Sequence, residues 1–176
     1  MNCLTESEIS QWLRQRQTTE APYQSPQGSS SRYHLQFESP KNHLGIDSFF
    51  RQYLEQIVGA SETLTHITDW GLYTPSEMIA IMGIRALNSE MRYLIDSPGH
   101  LLVPRNGETE TETVIALMSL TTHFSWCAYL YCPANRATLY TWEGEIMDFW
   151  TDRETQFKTM EKLTNDLALA ATSQSK

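Results

Sequence analysis

The chain has 176 residues and a mass of 20.3 kDa, the size of one domain. Its residues are 40% apolar, 19% charged and 11% aromatic, which excludes general disorder, a collagen-like fibre and a coiled coil. Thirteen Lys and Arg against twenty-one Asp and Glu leave a net charge of −8, the wrong sign for a general nucleic-acid binder, which must displace counterions from phosphates.

The N-terminus lacks the apolar core of a signal peptide, and no later stretch approaches the roughly 18 uninterrupted apolar residues of a membrane span. The expectation is a cytoplasmic protein that does not enter the membrane. Thr5 and Glu8 have capping-box spacing, and Ile9, Trp12 and Leu13 form one stripe of the helix behind them. Residues 18–31 are rich in Pro, Ser and Gln and read as a linker. The chain therefore divides into an N-terminal helix and linker, 1–31, and a single α+β domain, 32–176.

In that domain Tyr33, Leu35 and Phe37 alternate with polar residues as a strand. Asp47 precedes an amphipathic helix through Phe49, Phe50, Tyr53, Leu54, Ile57 and Val58, stopped by Gly59. Leu64 to Trp70 reads as a strand. Thr74, Pro75 and Glu77 then start a helix to Asn88 with Met78, Ile79, Met82 and Leu87 inward. Arg92 to Ile95 and Leu101 to Val103 read as short strands around the turn Ser97-Pro98-Gly99-His100, and Arg105-Asn106-Gly107 turns the chain again. Val114, Leu117, Met118 and Thr121 repeat at helical spacing after a Glu-rich start. Phe124 to Cys132 and Ala137 to Trp142 make a hairpin around Pro133 to Arg136, and a capping box at Thr151 to Glu154 opens the last helix. The sum is a mainly antiparallel sheet of five or six strands with four helices packed against it, plus the N-terminal helical arm.

Motifs for chemistry are sparse. His34, His43, His66, His100 and His123 are scattered, and Cys3, Cys127 and Cys132 have neither C-x-x-C spacing nor an even number, so three free thiols, no metal and no cofactor are expected. There is no Walker loop, no G-x-G-x-x-G and no G-x-S-x-G. Charge is more informative, because residues 1–42 are neutral overall and the acidic excess belongs to the rest. Asp69, Trp70 and Tyr73, and then Trp142, Glu143, Glu145 and Asp148, set carboxylates beside aromatic rings at strand ends. Glu108, Glu110 and Glu112 form a third acidic cluster. Aromatic rings supply binding hot spots and carboxylates steer a basic partner, so Asp69, Trp70, Tyr73, Glu143, Glu145 and Asp148 are the expected partner-binding residues.

Residues Ile67 to Glu77 (I-T-D-W-G-L-Y-T-P-S-E), Arg85 and Ser97-Pro98-Gly99-His100-Leu101 resemble a family of small uncharacterised bacterial proteins. That family has a W-G-[IL]-[WY]-x-S-x-E segment, a helix with an Arg, a P-G-H turn and an aromatic hairpin with an acidic end. The resemblance spans residues 47–150 and implies no activity. In layout and acidity the chain is also similar to bacterial immunity proteins. The leading expectation is therefore an acidic cytoplasmic binding protein that blocks a toxin, such as a nuclease, by occlusion. Two alternatives stand beside it. One is an enzyme with a convergent site of His100, Cys127 and Glu143 or Glu145. The other is an adaptor subunit docking through Ile9, Trp12 and Leu13.

Overall fold

In a computed structural model of the chain, residues 1–24, 31–88, 97–103 and 108–175 are described. Eight strands form one antiparallel sheet: β1 (Asn2–Leu4), β2 (Tyr33–Glu38), β3 (Thr63–Ile67), β4 (Gly99–Leu102), β5 (Ala128–Cys132), β6 (Ala137–Trp142), β7 (Ile146–Thr151) and β8 (Ala171–Ser175). Their spatial order is β1-β4-β3-β5-β6-β7-β2-β8. The five α-helices are α1 (Glu6–Gln15), α2 (His43–Tyr53), α3 (Pro75–Asn88), α4 (Glu108–His123) and α5 (Glu154–Asp166). The expected α+β class and antiparallel sheet are present, but the strand count is eight rather than five or six. The expected strand at 92–95 and the turn at 105–107 lie outside the described residues.

Strand periodicity sorts the core into two layers. Leu35, Phe37, Leu130, Leu139, Met147 and Phe149 face one side and pack against α2, α4 and α5 in the larger core. Leu64, Tyr129, Tyr131, Tyr140 and Trp150 face the other side, where Ile9, Trp12 and Leu13 of α1 cover part of the sheet. The middle strands are buried on both faces. That explains why β5 and β6 carry Leu and Tyr side chains on both faces.

The N-terminal segment packs on the sheet. β1 pairs with β4, and α1 sits so close to that strand that a Cβ on Gly99 would come within 2.8 Å of Ile9 Cγ1. The expected capping box holds α1 at its start, where the Thr5 N–H donates to Glu8 Oε2 at 2.8 Å. The apolar stripe of α1 belongs to the sheet's own core, which leaves the adaptor expectation without the surface it named.

Three other elements depart from expectation. The second helix starts at His43, not after Asp47, because Asn42 caps it by accepting from the Gly45 N–H at 2.9 Å. It then widens into a π-helical turn, Leu54–Val58, which the Asn135 side-chain amide holds by donating to the Ile57 and Val58 carbonyls. Helix α3 turns a different face inward: Ile81 and Arg85 are fully buried, while Ile79 is 68% and Met82 40% exposed. Finally, β3 ends at Ile67 and leaves Asp69 to Tyr73 to a loop.

Candidate functional site

The turn between β6 and β7 is fixed by its backbone. Glu143 and Gly144 both have positive φ, 50° and 69°. The Glu145 N–H donates to the Trp142 carbonyl at 3.0 Å, and the Ser39 N–H donates to the Glu145 carbonyl at 2.8 Å. Gly144 lies on the C-terminal end of α4, where any Cβ would overlap the Thr122 carbonyl oxygen. Only glycine satisfies both the dihedral and the contact. The result is a fixed turn that presents two exposed carboxylates, Glu143 and Glu145, neither with an ion-pair partner among the described residues.

Aromatic side chains flank the turn. Trp142 is 38% exposed and Phe124 39%. Phe124 stacks on buried Trp126 at 5.2 Å between centroids, and Trp126 meets Tyr73 at 4.3 Å. Leu72, in the loop that also carries Tyr73, is exposed. Large rings held by packing beneath them lose little freedom when a partner covers them.

Asp69, Trp70 and Tyr73 stand behind this edge rather than on it. Asp69 is half-buried: its Oδ2 accepts from the Cys127 N–H at 3.1 Å and its Oδ1 accepts from the Tyr73 hydroxyl at 3.3 Å. Burial raises the Asp69 carboxyl above the usual carboxylate range, and these hydrogen bonds oppose the rise. Burial, then the Asp69 charge, push the Tyr73 hydroxyl well up. Trp70 meets Tyr73 edge-on at 5.6 Å and His100 at 5.9 Å, and the Arg85 guanidinium lies 4.5 Å from its ring centre.

Arg85 is the largest fully buried side chain of the described residues. Its Nε donates to His100 Nε2 at 2.9 Å, and its Nη2 donates to the Ser97 carbonyl. A guanidinium has only donors, so His100 must accept at Nε2 and carry its proton on Nδ1. Burial first, and then the Arg85 charge, hold His100 well below its usual range, which keeps the ring neutral. The residues that carried the family resemblance (Trp70, Arg85, Ser97, His100) thus meet in one buried cluster that ties α3 and the loop after β3 to β4.

Asp148 is elsewhere again. It lies near the middle of β7 on the face opposite the larger core, almost fully buried, and its Oδ1 accepts from His34 Nε2 at 2.6 Å and Gln36 Nε2 at 3.1 Å. The His34 ring lies flat over Trp150, 5.1 Å and 8° apart. Of the six expected site residues, then, Glu143 and Glu145 share the exposed turn, Asp69, Trp70 and Tyr73 buttress it, and Asp148 belongs to a polar group on the sheet. Glu112 of the third acidic cluster pairs with Arg51.

The enzyme alternative required His100 and Cys127 to converge. Register places them on opposite faces of the sheet, His100 across from Thr65 and toward the larger core, Cys127 against the layer of α1. Burial also raises the Cys127 thiol, which disfavours a nucleophilic thiolate. Among the described residues, no group of three or more His, Cys, Asp or Glu is placed to hold a metal ion, and no helix is long and apolar enough to cross a membrane.

Sequence reasoning missed Phe124 as an exposed neighbour of the turn, because it read as the start of a strand. It also missed the grouping of His34, Gln36 and Asp148. Period-two alternation in Met147-Asp148-Phe149-Trp150 was the available signal, since it puts Asp148 and Trp150 on one face and the core residues on the other. Comparison with known proteins is silent: no family model, curated protein or solved structure matches the chain.

Proposed function

We propose that this chain is a binding protein that neutralises a basic protein partner, acting as an immunity protein that covers the active surface of a bacterial toxin. The observation that supports this reading is the Trp142–Glu145 turn: two exposed carboxylates and an exposed tryptophan on a backbone that a glycine wedged on α4 holds in place. A preformed charged and aromatic edge needs little further ordering when it meets a partner, and it is well suited to covering a cationic site. Carboxylates steer the encounter, and rings that exclude water prolong the complex. Contact falls to Trp142, Glu143, Glu145, Phe124 and Leu72, with Asp69, Trp70 and Tyr73 holding that edge in place.

The test is genetic and biochemical together. The tagged full chain and a Glu143→Gln/Glu145→Gln variant are expressed in the native host, and captured proteins are compared. The reading expects a basic protein held by the wild type and lost by the variant. Expression of that protein alone should arrest growth, and co-expression of the wild-type chain should restore it. A partner retained equally by the variant, or one whose activity the chain leaves untouched, overturns the proposal.

A further inference from the structure

The opposite end of the sheet from the acidic turn has a different character. Residues 16–22, leaving the C-terminal end of α1, cross the outer face of the sheet and meet the β5–β6 connection and the end of β7. Between them lies a cleft of about 120 Å³. Arg16, Thr18, Arg136, Thr138 and Asp152 are among its walls, and nearly everything facing it is polar. The size is far below the several hundred Å³ that a drug-sized ligand fills, but it accommodates a small polar group.

The two arginines are engaged unequally. Arg16 spends its Nε on Glu62 at 2.6 Å and its Nη1 on the Trp12 carbonyl. Arg136 makes no side-chain hydrogen bond among the described residues; its Nη1 stands 3.8 Å from Asp152 Oδ2, beyond hydrogen-bond length. The Oδ1 of Asp152 already accepts from the Arg32 N–H at 3.0 Å. A largely exposed guanidinium held only by the long ion pair to Asp152, beside the Thr138 hydroxyl, is a donor-rich wall suited to an acceptor-rich ligand.

Backbone geometry is a second, independent observation. Arg136 lines the cleft and has a positive φ of 50°, whereas the positive φ of Gln17 belongs to the C-terminal cap of α1, where the Thr18 N–H donates to the Leu13 carbonyl. The left-handed conformation is unfavourable for residues of this kind and is retained where the surroundings over-determine it, often at ligand sites. At Arg136 it directs the chain out of the β5–β6 connection, and the Arg136 N–H closes that turn on the Pro133 carbonyl at 3.0 Å. A glycine would make the same turn with less strain, so the strain is borne by a residue that contributes a guanidinium.

We infer that this cleft binds a phosphoryl group, with Arg136 as the principal ligand and Thr138 as a hydroxyl donor. The proposal is independent of the partner-binding turn at the other end of the sheet.

The decisive variant is Arg136→Gly, which relieves the positive φ while removing the guanidinium. Titration calorimetry of the full chain with inorganic phosphate, at ionic strength matched with chloride, should give saturable binding in about the millimolar range or tighter. Amide shifts in ¹H–¹⁵N spectra should centre on Arg136 and Thr138. Arg136→Gly should weaken phosphate binding by about tenfold or more, the loss of a charge-assisted contact, while its melting temperature equals or exceeds that of the wild type. The Glu143→Gln/Glu145→Gln variant should bind phosphate as the wild type does. Absence of saturable phosphate binding, amide shifts centred elsewhere, or unchanged affinity in Arg136→Gly would each overturn the inference.

Discussion

Two regions of this protein put a tryptophan beside charge, and they use the combination in opposite ways. In the cluster behind β4, Arg85 is withdrawn from water, and its donors are taken up by His100 and the Ser97 carbonyl under the ring of Trp70. In the turn between β6 and β7, Glu143 and Glu145 stay in water beside Trp142, with the backbone rather than the side chains immobilised. A buried charge must be matched locally or it destabilises the fold, so its neighbours are fixed by that requirement. An exposed, unpaired charge on a rigid turn costs the fold little and is available to another molecule. The most motif-like residues of the chain therefore serve architecture, and the less conspicuous turn serves recognition.

The largest effect should come from breaking the buried member of the pair. Arg85→Ala removes a fully buried side chain, strands the acceptor of His100 and leaves the ring of Trp70 uncovered. It should destabilise the protein by about 3–5 kcal/mol, as read from the urea midpoint. A loss below about 1 kcal/mol would mean that the cluster is not what ties α3 to the sheet.

Next comes the wedge at the turn. In Gly144→Ala the added methyl meets the Thr122 carbonyl at a φ of 69°, so the strain and the overlap act together. A cost of about 1–3 kcal/mol is expected, with amide shifts spreading from residues 142–146 into the end of α4. If the variant were as stable as the wild type, the turn would be adaptable rather than preformed.

The third prediction sharpens the contrast through pH. His100 is neutral in the folded protein, with its pKa held well below the usual 6.5. In acid the unfolded chain takes up a proton that the folded chain refuses. Stability is therefore fully present above about pH 6.5 and falls as the pH drops below it, by at most about 1.4 kcal/mol per pH unit for this one group. His100→Gln retains an acceptor for Arg85 and does not titrate, so the difference in slope between variant and wild type isolates the effect. Asp69 acts with the opposite sign. Its folded pKa is raised above 3.8, so protonation favours the fold, and that contribution fades as the pH rises through the folded value. Urea titrations between about pH 4 and 8 measure both, and parallel curves for wild type and His100→Gln would show that His100 is not held neutral.

Much of the scaffold was legible because local chemistry and tertiary packing agree. Thr5 with Glu8 and Thr74 with Glu77 form the hydrogen bonds that their spacing implies, the latter at 2.7 Å from the Thr74 N–H to Glu77 Oε2. The β5–β6 hairpin turns through Pro133–Asn135 as its residues suggest. Elsewhere the pattern had no single answer. Helix α3 is apolar on nearly all sides, through Met78, Ile79, Ile81, Met82 and Ile84, so no stripe marks the inward face, and that face includes the charge of Arg85. Strand β7 was hidden because both of its faces are buried, which mixes Asp148 with Met147, Phe149 and Trp150 and blurs the alternation of an amphipathic strand. Strands β1 and β8 are sheet edges, one only three residues long and the other Ala-Thr-Ser-Gln-Ser, with too little apolar content to register as strands. The candidate site was half legible for the same reason. Composition marks carboxylates beside aromatic rings, but only the sheet register tells that Glu143 and Glu145 leave the surface while Asp148 enters it.

The smallest effect on the fold should come from the turn's carboxylates, and it is the most informative about recognition. Glu143→Gln/Glu145→Gln removes two exposed charges without changing shape, so stability should stay within about 0.5 kcal/mol of the wild type. Once a basic partner is in hand, stopped-flow measurements at several salt concentrations compare the two proteins. The wild type should associate more slowly as ionic strength rises toward physiological values, where the Debye length is about 8 Å, and the variant should show a flatter dependence. Dissociation should barely respond to salt and should instead accelerate in Trp142→Ala or Phe124→Ala, because removing a ring opens the contact to water. If association were indifferent to both salt and the double substitution, steering by this turn would be ruled out. Recognition would then rest on the shape of the aromatic edge alone, and the difference between the buried cluster and the exposed turn would be one of packing rather than of charge.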